Sequence, residues 1–516
     1  MQTPAPTHLS KATEYLRNAF GLDYRSLVLL RMGTALAILL NLALRVPDIH
    51  AFFSDEGCVP RVAVLQLTDT PYLFSLYHAT GNWVFVAALF AVAALLAVML
   101  FAGYCTRFAT IASWIMLISL QNRNPMIIDG QDMLLRMMLF WGIFLPWGDY
   151  LSVDATRTSE TEMAKKEHLQ NTILSWGTIA YTIQIVLIYL CTAIHKNTQQ
   201  WIDGTAGLYS LNIDFITTSL GVYLTQYPDI LKIGTYITVV LEYLCPLLIL
   251  LPIKNSIPRI VAIAILCSFH IGLAMVFKLG FFPLFNIISL VALLPSEFWE
   301  RTFRWREKLH LSDLIRTTLG HSAQLLPELT LSVVPWQNNA FMIRAKDSLQ
   351  DGLVSFFLFF VILWNLSTLA GSGVKMPTDM HPIANFFRLD QNWFMFAGFQ
   401  PQLNGWYVMQ AQLKNGKIVD AFRGAAPLSW ERPKLISADY SNHQWRIYLV
   451  ALFSHSYLAW RPFYADYVVR EWNKKHPSEE HIEDLQIFYM YEGVLPESNP
   501  ADRQATKMFV WQYKAK

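Results

Sequence analysis

The run Trp83–Phe101 reads WVFVAALFAVAALLAVMLF and contains no charged residue. A stretch of about 20 apolar residues is long enough to cross the hydrocarbon core of a bilayer as a helix. Five other runs are comparably long and mostly apolar, namely Ser26–Leu44, Ile173–Ile194, Ile233–Leu251, Ile257–Phe277 and Leu353–Leu369. Three shorter runs are weaker candidates, for which tilted, re-entrant or internally buried helices remain alternatives: Phe108–Leu120, Met133–Trp147 and Phe281–Leu294. The sequence therefore predicts an all-α polytopic membrane helix bundle with about eight or nine spans.

The composition of the 516 residues agrees with a membrane protein. Apolar residues make up 54% and charged residues 15%, whereas soluble proteins carry about 25% charged residues. The net charge of +2 disfavours nucleic acid as a partner, and the lipid bilayer is the expected one. None of the five cysteines belongs to a CxxC pair, so no metal site is predicted.

If the chain crosses the membrane nine times, lysine and arginine are more frequent in the loops on the same side of the membrane as the N-terminus. Because cytoplasmic loops are enriched in these residues, the N-terminus is expected in the cytoplasm and the C-terminal part outside it. The predicted units are a cytoplasmic segment (1–25), a transmembrane bundle (26–300), a basic cytoplasmic loop (301–350), a last transmembrane helix (351–370) and an extracytoplasmic C-terminal domain (371–516).

The chain becomes more polar after Leu369. Gly405–Leu413 alternates as a strand does, and Asn415-Gly416 predicts a hairpin turn after it. Segments Trp445–Leu452 and Pro462–Trp472 are interpreted as helices. We therefore expect a small α+β soluble domain at the C-terminus.

The span that ends near Lys196 carries a narrow polar stripe. At about 100° per residue, the face of Lys196 also holds Thr178, Thr182, Tyr189 and Thr192, with Tyr181 close by. Such a stripe is expected to face the interior of the bundle. Lys196 is then either a boundary lysine that extends to the interface or a desolvated general base. His195 points elsewhere and is predicted to make a second contact.

Other ionisable residues within apolar runs are candidates because burying them in lipid is costly. Glu242 shares a face with Thr235 and Thr238 and requires a donor partner. His270 is either a catalytic group or a hydrogen-bonded contact between helices. Asp132 and Arg136 are spaced i, i+4, which predicts an ion pair with a structural or a functional role.

Five stretches resemble the HTTM family, whose best-known member is the vitamin K-dependent gamma-glutamyl carboxylase. They are FFSDEGCVPR (52–61), NRNPMIIDGQDMLLRMMLFWGIFLPWG (122–148), HKNTQQWIDGTA (195–206), FHIGLAMVFKLGFFPLFNIISLVALLP (269–295) and DQNWFMFAGFQP (390–401). The first four place the resemblance over roughly residues 20–300, and the fifth is similar to the segment that follows this domain in bacterial relatives.

The resemblance implies a quinol-dependent carboxylase of the bacterial inner membrane, with reduced menaquinone or a vitamin K-type quinol as cofactor and a peptide or small acid as substrate. The family's catalytic lysine stands in a K-x4-W-x2-G pattern that Lys196, Trp201 and Gly204 match, and His270 matches the family's FH motif. Two features depart from the carboxylase. Residues 129–132 lack its histidine, and its large substrate- and propeptide-binding region is not evident. A non-enzymatic transporter, or an assembly factor for a secreted peptide, is the alternative function.

Overall fold

The computed structural model describes residues 8–68, 74–157, 171–252, 255–303, 340–398, 403–424, 426–493 and 505–514. Most of the predicted basic loop at 301–350 lies outside these residues, as do the first seven residues of the predicted N-terminal segment. The last long helix begins at Ala340, ahead of its predicted start at 351.

Six helices in the described part of the chain are long and apolar enough to cross a membrane. They are Tyr24–Phe53, which comprises α2 (Tyr24–Arg45), a turn and α3 (Ile49–Phe53), then α5 (Trp83–Ala102), α9 (Trp176–His195), α13 (Pro228–Ile249), α14 (Ser256–Val276), and Ser348–Thr368 within α17 (Ala340–Thr368). Each coincides with one of the six strong candidates in the sequence. The protein is thus a multi-pass membrane protein.

The three weaker candidates form shorter helices. Phe108–Leu120 lies in α6 (Thr106–Arg123) and Met133–Trp147 overlaps α7 (Gly130–Gly142), and most of both helices is buried. With 13 residues, α7 is about 20 Å long and shorter than the hydrocarbon core. The third, α15 (Phe282–Val291), is followed by α16 (Ser296–Phe303) after a bend of 91°. Counting that bent pair as one span gives at most seven spans in the described residues, fewer than the predicted eight or nine.

Shorter elements precede and connect the long helices. They are α1 (His8–Phe20), α4 (Arg61–Leu67), α8 (Val153–Thr156), α10 (Gln199–Ile202), α11 (Ala206–Leu211), α12 (Ser219–Leu224) and α18 (His381–Phe387). Strands β1 (Leu22–Asp23) and β2 (Thr172–Ile173) form a small antiparallel ladder beside the start of α2.

The loops at one end of the bundle contact the N-terminal helix. The side chain of Asn18 in α1 donates to the carbonyl of Pro252 after α13, at 3.2 Å. Arg107, at the start of α6, donates to Gln350 in α17 at 2.9 Å. The N-terminal helix therefore lies beside the loop after α13, and the start of α6 lies beside α17.

The loops at the other end contact the C-terminal domain. Asp48, after α2, accepts from the indole of Trp445 at 2.9 Å. Asp214, after α11, pairs with Arg432. The N-terminal helix and the C-terminal domain consequently occupy opposite ends of the bundle.

The C-terminal domain contains a four-stranded antiparallel sheet with strand order β4-β3-β5-β6. Its strands are β3 (Leu403–Leu413), β4 (Ile418–Asp420), β5 (Ile482–Gly493) and β6 (Thr506–Lys514), and its helices are α19 (His443–Phe453) and α20 (Arg461–Lys475). The predicted hairpin is confirmed, with Gly416 in the left-handed conformation (φ 81°) that this turn requires. Strands β5 and β6 were not predicted from the sequence.

Candidate active site in the membrane

Lys196 follows the last residue of α9 and is paired with a carboxylate from another span. Its Nζ lies 2.6 Å and 2.5 Å from the two carboxylate oxygens of Glu242, in the middle of α13. Both residues are buried, with 7% and 4% of their surface exposed. The structure thus supplies the donor that the sequence required for Glu242, and Lys196 does not extend into water.

The K-x4-W-x2-G pattern has a geometric reason in this chain. Trp201 lies in the single turn α10, and its ring centre is 5.0 Å from Lys196 Nζ, a distance that permits a cation–π contact. Gly204 then adopts a φ of 81°, and a Cβ at this position would lie 2.7 Å from the side chain of Lys232 on α13. The spacing therefore places an aromatic ring beside the ammonium and allows the chain to pass close to α13.

A second polar pair lies between α9 and α14. The hydroxyl of Tyr189 is 2.9 Å from Nε2 of His270, and both residues are buried. The other ring nitrogen of His270, Nδ1, is buried and has no hydrogen-bond partner among the described residues. Because an imidazole nitrogen either donates or accepts, Nδ1 can bond a ligand in either role.

The two pairs line one cavity of about 280 Å³. Besides Lys196, Glu242, Tyr189 and His270, its wall contains Thr192, Trp201, Gly234, Thr235, Thr238, Asn286 and a larger set of apolar residues, among them Leu211, Leu231, Phe269, Leu273, Phe277, Phe282, Met395 and Phe396. Spans α9, α13, α14 and the bent helix α15 therefore meet around a mostly apolar space with a few polar groups, as is typical of small-molecule sites.

The segment between α18 and β3 closes the cavity from the side of the C-terminal domain. The carbonyl of Trp393 accepts from the hydroxyl of Thr192 at 3.1 Å, and that of Phe396 accepts from the indole of Trp201 at 3.1 Å. Met395 and Phe396 belong to the cavity wall. Residues Trp393–Phe396 of the segment quoted as DQNWFMFAGFQP are therefore part of the site, although the sequence assigned no role to their side chains.

Burial affects the charge state of Lys196. Burial disfavours the ammonium form of Lys196, while the adjacent Glu242 carboxylate favours it. In an apolar environment, an ion pair and the neutral pair that results from proton transfer differ less in free energy than they do in water. Transfer of the Lys196 Nζ proton to Glu242, which would leave a neutral amine, therefore costs less free energy here than it does in water.

Other predicted site residues lie outside this cavity. His195 is not part of its wall; its ring contacts Phe394 at 4.8 Å between ring centres. The polar stripe of α9 is buried, as expected, but of its threonines and tyrosines only Tyr189 and Thr192 line the cavity. Thr178 lies at the start of α9, where it forms a capping box with Ser175.

The predicted ion pair between Asp132 and Arg136 is wrong. Asp132 pairs with Arg45 at the end of α2, with a shortest distance of 2.9 Å. Arg136 instead donates to the side chain of Gln121 at 3.1 Å and to the carbonyl of Asp390. The i, i+4 spacing could not reveal this, because partners from α2, α6 and the C-terminal segment compete for the two side chains. Asp132 and Arg136 thus link elements of the bundle and are not among the residues that line the cavity.

Residues 64–299 match the family model of the HTTM domain. The chain contains an HTTM domain. No curated protein and no solved structure matches the chain.

The HTTM domain provides all four residues of the two polar pairs. Met395 and Phe396 come from beyond its last residue, so the cavity is completed by the C-terminal part of the chain. The sequence carried a signal for this role of the C-terminal part, because the run Trp393–Phe396 contains three aromatic residues and a methionine, which is unusual for a solvated linker.

Proposed function

We propose that this chain is a quinol-dependent membrane enzyme similar to the vitamin K-dependent gamma-carboxylases. Its cofactor would be a reduced quinone of the menaquinone or vitamin K type, and its substrate a peptide or small acid at the outer face. The observation that carries this proposal is the placement of two buried polar pairs, Lys196–Glu242 and Tyr189–His270, in the wall of one mostly apolar cavity.

The cavity residues fit a reduced naphthoquinone. Aromatic and aliphatic side chains such as Phe269, Phe277 and Phe282 form much of the wall and suit an aromatic ring system. His270 Nδ1, without a partner among the described residues, provides a hydrogen bond for one ring oxygen. Lys196 Nζ provides a proton acceptor for a hydroxyl group of the reduced naphthoquinone.

In this proposal, Lys196 and Glu242 act as one proton-accepting unit. Glu242 takes the proton of the ammonium, and Lys196 Nζ then accepts a proton from a hydroxyl group of the ligand. His270, held by Tyr189, orients the ligand through Nδ1. When bound, the reduced quinone would supply electrons to molecular oxygen, with carbon dioxide as the co-substrate of a carboxylation. Trp201 and the apolar wall keep bulk water from the amine, which favours its neutral, proton-accepting form.

The direct test uses the purified protein in lipid nanodiscs with reduced menaquinone. We expect oxygen uptake together with loss of the quinol absorbance. Incorporation of labelled carbon dioxide into a glutamate-containing peptide would identify a carboxylase. If the wild-type protein showed no oxygen uptake and no loss of quinol, this result would contradict the enzymatic proposal and favour the non-enzymatic role.

We also propose a cytoplasmic N-terminus and an extracytoplasmic C-terminal domain. The basic residues near the N-terminus and the location of the two termini at opposite ends of the bundle support this orientation. Cysteines introduced at Lys11 in α1 and at Asn415 in the hairpin are both exposed. In sealed right-side-out vesicles, a membrane-impermeant maleimide is expected to label Asn415→Cys and not Lys11→Cys, relative to the parent protein.

Inverted vesicles provide the control for this orientation. Labelling should then switch to Lys11→Cys. Equal labelling of both positions in one vesicle orientation would place the two ends on the same side and contradict the proposed topology.

A further inference from the structure

Gly234 on α13 combines two properties that indicate an opening. It belongs to the cavity wall, and it is also exposed at the surface of the protein. A Cβ added at Gly234 would have no atom within 4 Å, so its immediate surroundings are open space. The cavity that holds Lys196 and Glu242 therefore reaches the protein surface beside this glycine.

The surface around this opening is apolar. On α13, the neighbouring side chains of Ile230, Ile233 and Ile237 are 59%, 60% and 50% exposed. Across the groove, Met275 on α14 is 57% exposed. Large apolar side chains this exposed on two spanning helices are the expected lipid-facing surface of a membrane protein. The opening consequently leads into the acyl-chain region and not into water.

The aromatic residues before α13 mark the boundary of this region. Tyr223 and Tyr227 are exposed and bond each other through their hydroxyls at 2.9 Å. Tyrosines at this position are typical of the membrane–water interface. Gly234 follows Tyr227 by seven positions, which places it about 10 Å further along the helix toward the bilayer centre. The depth of Gly234 thus agrees with a lateral opening.

We infer that the gap at Gly234 is a lateral portal for a quinol with a long isoprenoid tail. This inference rests on the proposed function and specifies that its quinol resides in the bilayer. The cavity, at about 280 Å³, lies just below the roughly 300–1,000 Å³ of small-molecule sites, so it accommodates a ring system but not a long tail. With the ring beside Lys196, the tail passes Gly234 and remains among the acyl chains.

The test fills the portal with a side chain and uses a second glycine as a matched control. Gly272 on α14 is also exposed and also has no atom within 4 Å of an added Cβ, but it is not part of the cavity wall. Phenylalanine at either position removes a helix-interior glycine, so folding is not expected to suffer. Gly234→Phe is expected to raise KM for a long-tailed quinol by about tenfold or more and to raise KM for a tailless quinol far less. Gly272→Phe should alter neither.

Binding is measured separately from turnover, through the rise in melting temperature that long-tailed and tailless oxidised naphthoquinones produce. The inference predicts that Gly234→Phe loses the shift with the long-tailed compound only. Equal responses of Gly234→Phe to both compounds, whether both lost or both retained, would overturn the portal. An inactive wild-type protein that binds both quinones would overturn the proposed function, while the thermal shifts would still decide the portal.

Discussion

Lys196→Arg is expected to remain folded and to lose turnover by a factor of about 100 to 10,000, the usual contribution of a general base. The guanidinium keeps the positive charge that lies 2.5–2.6 Å from Glu242 in the wild-type protein, and it can stack on the ring of Trp201, which the ammonium approaches at a cation–π distance. It does not release its proton, however, so the proton cannot pass to Glu242. The substitution therefore separates the charge of Lys196 from its basicity. Oxygen uptake with reduced menaquinone measures the loss of turnover, and the melting temperature shows whether the variant remains folded.

Lys232→Arg is the matched control for this prediction. Lys232 lies on α13 as Glu242 does, but it is exposed and is not part of the cavity wall. We expect Lys232→Arg to retain wild-type turnover. If Lys196→Arg kept turnover while remaining folded, Lys196 would act only as a fixed positive charge, and the proton-accepting role would have to be abandoned.

The sequence predicted the spanning helices well where apolar runs were long. All six strong candidates became long helices, because a run of about 20 apolar residues has few alternatives to a membrane helix. The shorter runs were ambiguous for a physical reason. Helix α6 contains Thr110, Ser113 and Ser119, all of which are buried, so its hydropathy understates how deeply it lies in the protein. Hydropathy cannot distinguish a polar face that packs on other helices from one that faces water.

The position of Lys196 could be predicted, but its partner could not. Helical periodicity placed Tyr189 and Thr192 on the face of Lys196, and both line the cavity with it. Glu242 was recognised only as a carboxylate in need of a donor. Which donor it takes depends on how α9 packs against α13, and a single sequence does not contain that information. The same limit explains the incorrect pairing of Asp132, whose partner Arg45 comes from α2.

The aromatic residues at Trp393–Phe396 were a sequence signal for the C-terminal segment, but they did not reveal which span the segment contacts. Trp393 is buried and hydrogen-bonds through its indole to Gln391, which in turn accepts from Gln184 on α9 at 2.7 Å. These contacts join a segment outside the HTTM match to a span within it. A boundary drawn from composition at residue 371 therefore separates parts that pack together, since composition records polarity and not long-range contacts.

Removing either member of the Lys196–Glu242 pair alone is expected to destabilise the protein strongly, by about 3–5 kcal/mol. Lys196→Met leaves a carboxylate that is 4% exposed without its donor, and Glu242→Leu leaves an ammonium that is 7% exposed without its acceptor. The double variant, which replaces the pair with apolar side chains of similar volume, is expected to recover most of this loss, because no uncompensated charge remains. The free energy of unfolding, from denaturant titration in mixed micelles, gives the coupling between the two positions.

The exposed pair Glu471–Lys474 is the control for this cycle. It joins the same residue types at 3.0 Å, but its side chains are 26% and 52% exposed. Because water and salt screen exposed charges, its coupling should not exceed about 1 kcal/mol. A coupling of that size at Lys196–Glu242 would mean that water reaches the pair freely. The low-polarity environment on which proton transfer between Lys196 and Glu242 depends would then be absent, and the proposed base would lose its physical basis even if Lys196→Arg were inactive.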